Sequence, residues 1–230
     1  MKSQRTQTIY RISEFLLPFI IVIAGFIVLR LYLDPESSTK LSILMFAYFV
    51  PPLGKESIIP IGVGGGEINI PFFNTPLIVP SIDPFVVALS IAFVDIVIAL
   101  FLVWNYDLAK KIPLVGKFMD KVEKIGRKSS TKYGWIKPLR FIGIILFVMV
   151  PFQGSGGLVG SIVGRLIGMK RWNIFFAISI GSISGCLLIA HFADLIRSVF
   201  IQDFLMGILI VIIILVAGIM IFVYRKSIKK

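Results

Sequence analysis

The chain consists of apolar blocks separated by short polar segments, and the lengths of these blocks predict its elements. Four blocks have about the length of ~20 residues that a helix needs to cross a bilayer. They are Phe15–Leu33, Pro84–Trp104, Trp172–Phe192 and Phe200–Tyr224. Because few charged residues interrupt these blocks, each is predicted to be a transmembrane helix.

Two further apolar blocks, Leu41–Val50 and Phe141–Val150, have only about half that length. The first continues into PPLGKESIIPIGVGGG and the second into PFQGSGGLVGSIVGRLIG. Proline interrupts a helix because it has no backbone N–H, and glycine weakens a helix because its backbone is so free. Each block is therefore predicted to form a re-entrant hairpin with the segment that follows it, over residues 41–66 and 139–168.

The distribution of positive charge predicts how these elements are oriented, since cytoplasmic segments collect Lys and Arg. With the N-terminus in the cytoplasm, the inside segments 1–14, 105–138, 169–171 and 225–230 together contain 18 Lys and Arg residues. The outside loops 34–40, 67–83 and 194–203 contain two, Lys40 and Arg197. A multi-pass protein of the plasma membrane with both termini in the cytoplasm is therefore expected.

In this topology the two hairpins enter from opposite sides, and each is followed by a full span. That order is typical of the inverted repeats found in transporters. The predicted fold is an all-α membrane protein with four transmembrane helices and two oppositely oriented re-entrant hairpins, in a single transmembrane domain over residues 1–230. Residues 1–104 and 139–230 form its halves, and residues 105–138 form a basic, amphipathic cytoplasmic linker.

Composition agrees with a membrane protein and limits the other classes. Hydrophobic residues make up 57% of the chain, whereas soluble domains typically have about 45–50% apolar residues. The net charge of +12 is densest in the linker, where it suits anionic membrane lipid. No motif for nucleic-acid recognition accompanies this charge, so nucleic acid is not an expected partner. The single cysteine, Cys186, excludes an intramolecular disulfide, and no metal or cofactor is predicted.

The helix breaks are the expected places for chemistry, because non-helical backbone at membrane depth needs polar partners. Gly154, Gly156 and Gly157 surround Ser155 in the second break. Successive glycine N–H groups can form a nest that binds an anion. Glycines can equally serve tight turning and close helix contact alone, and both interpretations stay open for this group.

Ionisable residues inside apolar segments form the second group of candidates, since their burial is costly without a function or a partner. Glu56 could carry a proton or only neutralise its neighbour Lys55. Asp95 is expected to be protonated or paired with an arginine. The arginines, Arg140 and Arg165, could pair with a carboxylate or bind a lipid phosphate, and Arg140 could also reach the cytoplasmic interface. His191 is interpreted as part of a helix end capped by Asp194.

The segment FVMVPFQGSGGLVG at Phe147–Gly160 resembles the small multidrug export protein family, whose pattern is approximately FVaiPLPGTGaWTG. In the first hairpin, IIPIGVG is similar to the family's IPLGIG segment. That family is in turn similar to the DedA/VTT group, which has opposed re-entrant hairpins and is linked to lipid-carrier transport or lipid scrambling, in some cases with proton coupling. By position, the resemblance marks Pro60, Gly62, Pro151, Gly154, Gly156 and Gly160.

Together these features predict a transporter or scramblase for an amphipathic substrate, with membrane lipids and protons as partners. The first expectation is a phosphate-headed lipid or polyprenyl phosphate, and a lipophilic drug is the alternative. The expected site consists of Glu56, Pro60, Gly62, Asp95, Arg140, Pro151, Gly154, Ser155, Gly156 and Arg165. Two other classes stay open: an intramembrane serine hydrolase with Ser155 as nucleophile, and a structural membrane protein.

Overall fold

A computed structural model describes residues 2–50, 53–70, 76–111, 116–117, 120, 139–151 and 155–202. In chain order, the elements of these residues are α1 (Lys2–Tyr32), α2 (Pro35–Ala47), α3 (Lys55–Gly64), β1 (Gly66–Ile68), β2 (Leu77–Val79), α4 (Pro84–Lys111), α5 (Arg140–Met149), α6 (Gly157–Leu166) and α7 (Arg171–Gln202). The described part of the chain is thus mostly helical.

Within the described residues, three helices are long and apolar enough to cross a membrane. The segments are Tyr10–Tyr32 of α1, Pro84–Leu108 of α4 and Arg171–Leu195 of α7, and they coincide with the first three predicted spans. From residue 203 onward, the fourth predicted span lies outside the described residues. The protein is an α-helical membrane protein.

The centre of the bundle is formed by α4 and α7, which pack against each other. In its most apolar window α4 is 67% buried inside the protein, whereas α1 is only 6% buried. Exposed apolar surface as large as that of α1 would favour association in water. The exposure of α1 is therefore what a helix surrounded by lipid requires.

Two pairs of short helices, α2 with α3 and α5 with α6, occupy the places of the two half-length apolar blocks. In the first pair, α2 begins at Pro35, earlier than predicted, because Asp34 accepts hydrogen bonds from the backbone N–H of Ser37 and caps the helix. Hydrogen bonds from the side chain and then the backbone of Ser37 hold the pKa of Asp34 below its usual range. The prediction of a loop over residues 34–40 is therefore wrong, whereas Arg140 begins α5 as expected.

The first helix pair enters the bundle at the end where α4 begins. Near the end of α3, a Cβ on Gly62 would lie 2.8 Å from the side chain of Val87 in the first turns of α4. The tip of the pair lies deeper, since Tyr48, which directly follows α2, contacts Asp95 in the middle of α4.

The second helix pair enters from the opposite end of α4. Arg165, near the end of α6, stacks on the ring of Tyr106 in the last turns of α4, 4.7 Å from the ring centroid. The tip of this pair again reaches the middle of α4, where the N–H of Gly157 contacts Asp95. The two pairs are thus oppositely directed with respect to the bundle, and their tips meet at one level.

Two predicted loops contain regular structure. The predicted outside loop 67–83 includes the antiparallel strands β1 and β2, with Gly66 opposite Val79. The strands follow a turn at Gly65, whose φ of 70° favours glycine. The predicted loop 194–203 is helical as far as residue 202, because α7 continues, so His191 does not lie at a helix end. The linker lies mostly outside the described residues, but Lys110 at the end of α4 pairs with Asp120 at 3.2 Å.

Candidate functional site

Asp95 joins the tips of both helix pairs and is fully buried. Its Oδ1 accepts hydrogen bonds from the backbone N–H of Gly157 at 2.7 Å and from the hydroxyl of Tyr48 at 2.9 Å. Its Oδ2 accepts a bond from the hydroxyl of Ser182 in α7 at 2.8 Å. Three donors thus converge on the two carboxyl oxygens. Of the two expectations for Asp95, the arginine partner was wrong, because an N–H group and two hydroxyls take its place, and the protonated form stays a prediction.

Asp95 accepts a hydrogen bond from the first residue of α6 and so caps this helix from outside. The first N–H groups of a helix have no partner inside it, and the helix dipole is positive there. The N-cap residue of α6 is Gly156, which has no side chain to supply an acceptor. Asp95 supplies it from α4, so the carboxylate and the helix end compensate each other.

Lys55 contacts the helix end on the other side of the second break, where α5 ends. It begins α3, is 1% exposed, and donates a hydrogen bond through Nζ to the carbonyl oxygen of Val148 in the last turn of α5. The last carbonyl groups of a helix lack partners, and the dipole is negative there, which stabilises a cation. Among the described residues no ion pair joins Lys55 to Glu56, so the alternative of a self-neutralising pair was wrong.

Lys55 and Gly157 are the first residues of α3 and α6, which both have ten residues. Asp95 and Ser182 are each the twelfth residue of their long helices. The contacts of the two helix starts differ, because Lys55 binds α5 whereas Gly157 binds α4. The internal repeat therefore stays a prediction.

A cavity of about 880 Å³ lies beside the breaks, between α3, α5 and α7. Its lining, as far as the described residues form it, consists of Glu56, Pro60, Gly64, Leu146, Met149, Val150, Pro151, Gly185, Leu188, Ile189, Phe192 and Ala193. Glu56 is the charged residue of this set, and its Oε2 is buried without a hydrogen-bond partner among the described residues. The structure therefore brings Glu56, Pro60 and Pro151 of the predicted site together around one space.

The two arginines of the predicted site lie at the opposite end of the second helix pair from its tip. Arg140 begins α5, and its Nη1 lies close to Gly168, after α6. Arg165 stacks on Tyr106. Neither belongs to the described lining of the cavity, so the structure separates them from Glu56.

The remaining predicted residues have local roles in the fold or lie elsewhere. Ser155 is fully buried and donates a hydrogen bond to the carbonyl oxygen of Val150 at 2.6 Å, which stabilises the turn of the second break. Gly156 leaves room for Tyr48, because a Cβ there would lie 2.3 Å from the hydroxyl oxygen. Gly154 lies outside the described residues. His191 is exposed, and its Nδ1 contacts the carbonyl oxygen of Leu187.

Residues 59–188 match the family described as "Putative small multi-drug export protein". The match covers more than half of the chain and includes α4, both described helices of the second pair and Ser182. The fold defines the class as an α-helical membrane protein. Within that class, the chain belongs to the small multidrug export protein family. No curated protein and no solved structure matched the chain, and the relation to the DedA/VTT group stays a prediction.

Tyr48→Phe removes one of the three hydrogen bonds to Asp95 without changing the volume of the ring. A hydrogen bond to a charged group typically contributes about 1.5–3 kcal/mol, so the free energy of unfolding is expected to fall by that amount. The measurement is reversible unfolding of the full chain in detergent micelles. Tyr32→Phe, at an exposed position at the end of α1, is the matched control and should be neutral. Equal stability of both variants would contradict the role of the Tyr48 hydroxyl.

Proposed function

We propose that the protein is a membrane exporter that carries a small lipophilic compound through the cavity between α3, α5 and α7. The supporting observation is the cavity itself, which is apolar and about 880 Å³ in volume. Sites for drug-sized ligands are typically about 300–1,000 Å³ and mostly apolar. Helix α3 belongs to the first half of the chain, and α5 and α7 belong to the second. Motion of one half against the other would therefore open the cavity to either side in turn.

In this proposal the two helix pairs are re-entrant, one from each side of the bilayer. The distribution of Lys and Arg supports cytoplasmic termini in the plasma membrane, and it supports an amphipathic linker at the cytoplasmic surface. Backbone groups at the breaks need internal partners when no water is present. The contacts of Asp95 and Lys55 meet that need for one helix end each, which supports breaks at membrane depth.

The lining of the cavity supports a lipophilic compound over a phosphate-headed lipid. Phosphate groups are usually bound by arginine or lysine side chains, and the described lining contains neither. Arg140 and Arg165 lie at the far end of the second pair. A phosphate-headed lipid or polyprenyl phosphate is the competing substrate, and no enzymatic step is part of this proposal.

Filling the cavity tests the proposed path. Gly64 lines the cavity, and a Cβ added there would meet nothing within 4 Å. Gly64→Phe is therefore expected to occupy the space without displacing the backbone. Efflux of a lipophilic dye from liposomes that contain the purified chain is expected to fall by about tenfold or more, since the bound substrate loses its room.

The matched control is Gly143→Phe on α5. Gly143 is exposed and outside the cavity lining, and a Cβ there also meets nothing within 4 Å. Its transport rate should equal that of the wild-type chain. Equal efflux by both variants would contradict the cavity as the path. Liposomes with a fluorescent phosphate-headed lipid form the second arm, and movement of that lipid instead of the dye would favour the competing substrate.

A further inference from the structure

The chemistry of the cavity identifies the class of its ligand, an inference that rests on the proposed function. We infer that the cavity binds a lipophilic organic cation, and that the Glu56 carboxyl group holds this cation. No covalent step is involved.

The first step is the environment of the Glu56 carboxylate. Glu56 lies in the first turn of α3 and turns back over Gly54, where a Cβ would lie 2.3 and 2.5 Å from its two oxygens. The absence of a side chain at residue 54 thus gives the carboxylate its place at the cavity. Its Oε2 is buried and has no hydrogen-bond partner among the described residues. A buried oxygen in this condition is costly unless a proton or a cation meets it.

The second step is that, within the part of the chain that the structure describes, neighbouring groups do not supply this cation. Lys55, the adjacent residue, is directed to the carbonyl oxygen of Val148. The other titratable groups around the tip of α3 are Tyr48 after α2, Asp95 in α4 and Cys186 in α7, and their protonated forms are neutral. On α5, Arg140 lies at the far end of the helix. On α7, His191 contacts the carbonyl oxygen of Leu187 and lies outside the cavity lining.

The third step concerns the body of the ligand. Apart from Glu56, the described lining is formed by leucine, isoleucine, valine, methionine, phenylalanine, alanine, proline and glycine. Such walls favour an apolar molecule, because burial of apolar surface contributes about 25 cal/mol per Å². An anion would be repelled by the carboxylate, and a neutral compound would leave its oxygen without a partner. A cation with an apolar body satisfies both the walls and the carboxylate.

Two ions of nearly the same size and shape but opposite charge test the inference. Tetraphenylphosphonium is expected to bind the purified full chain in detergent, measured by isothermal titration calorimetry, and tetraphenylborate is expected to bind at least about tenfold more weakly.

Glu56→Gln keeps the shape of the side chain and removes its charge. We expect it to lower the affinity for tetraphenylphosphonium by about tenfold or more. Glu67→Gln, at an exposed position in β1, is the matched control and should bind as the wild type does. Thermal unfolding of the Glu56→Gln variant verifies that it is folded.

Two results would overturn the inference: equal affinity for the two ions, or unchanged affinity in the Glu56→Gln variant. The proposed function fails separately. Loss of dye efflux in Gly64→Phe together with unchanged cation affinity in Glu56→Gln would leave the exporter standing and refute the cation site. Cation binding through Glu56 without efflux by the wild-type chain would support the cation site and refute the exporter.

Discussion

Asp95→Ala is expected to lower the free energy of unfolding by at least about 3 kcal/mol, because it leaves three buried donors without their acceptor and each such loss costs about 1–3 kcal/mol. The donors are the N–H of Gly157 and the hydroxyls of Tyr48 and Ser182. They belong to three separate segments, so the loss also loosens the contact between the two helix pairs. Reversible unfolding of the full chain in detergent micelles measures the effect.

Two further variants show which property of Asp95 matters. Asp95→Asn keeps one carbonyl oxygen as an acceptor and loses the negative charge, so a smaller loss of about 1–2 kcal/mol is expected. Glu67→Ala, which removes an exposed carboxylate from β1, should change stability by less than about 0.5 kcal/mol. Equal losses in the alanine and asparagine variants of Asp95 would assign the stability to the charge. No loss in either would refute the carboxylate as the joint between the helix pairs.

Gly157→Ala is the second change with a large expected effect. A Cβ at Gly157 would lie 2.2 Å from the carbonyl oxygen of Asp95. Because this oxygen belongs to the backbone of a packed helix, α6 has to move away from α4, and the hydrogen bond between the two residues stretches. Overpacking typically costs about 1–3 kcal/mol, so with the weakened bond we expect a loss of about 3 kcal/mol in the free energy of unfolding. The same micelle experiment measures it.

Gly143→Ala controls for the chemical nature of the change. It is the same substitution in α5, where a Cβ meets nothing within 4 Å. Alanine is favoured over glycine in a helix interior by about 1 kcal/mol, so this variant should be slightly more stable than the wild type. The two substitutions are therefore expected to have opposite signs. A similar change in the free energy of unfolding of both variants would mean that α6 moves away from α4 at Gly157 without loss of stability.

The positions of three spans and of the two half-length apolar helices followed from the sequence for simple physical reasons. Bilayer thickness fixes the length of an apolar block, so α4 and α7 are visible as hydrophobic stretches. The half-length blocks before Pro51 and Pro151 are visible in the same way. The cap of α2 also had a signal, since Asp34 followed by Pro35 is a typical helix start. This helix start contradicts the predicted loop over residues 34–40.

The partners of the buried charges could not be predicted, because they depend on packing between distant segments. Asp95 meets residues that lie 47, 62 and 87 positions away in the chain. Lys55 and Glu56 are neighbours in sequence, which suggested an ion pair. Consecutive residues of a helix point about 100° apart, so one side chain reaches Val148 and the other reaches the cavity. The adjacency of Lys55 and Glu56 in the sequence therefore does not indicate an ion pair between them.

The hydrogen bond from Lys55 to Val148 has a consequence for the order in which the protein assembles. The two residues are 93 positions apart, so the ammonium group of Lys55 is synthesised well before its acceptor. Until α5 has been made, that ammonium group has no acceptor from α5, and an unpaired charge in apolar surroundings is strongly unfavourable. The tip of the first helix pair therefore cannot settle into its final position during synthesis of the first half. Its docking is therefore expected to follow the synthesis of α5.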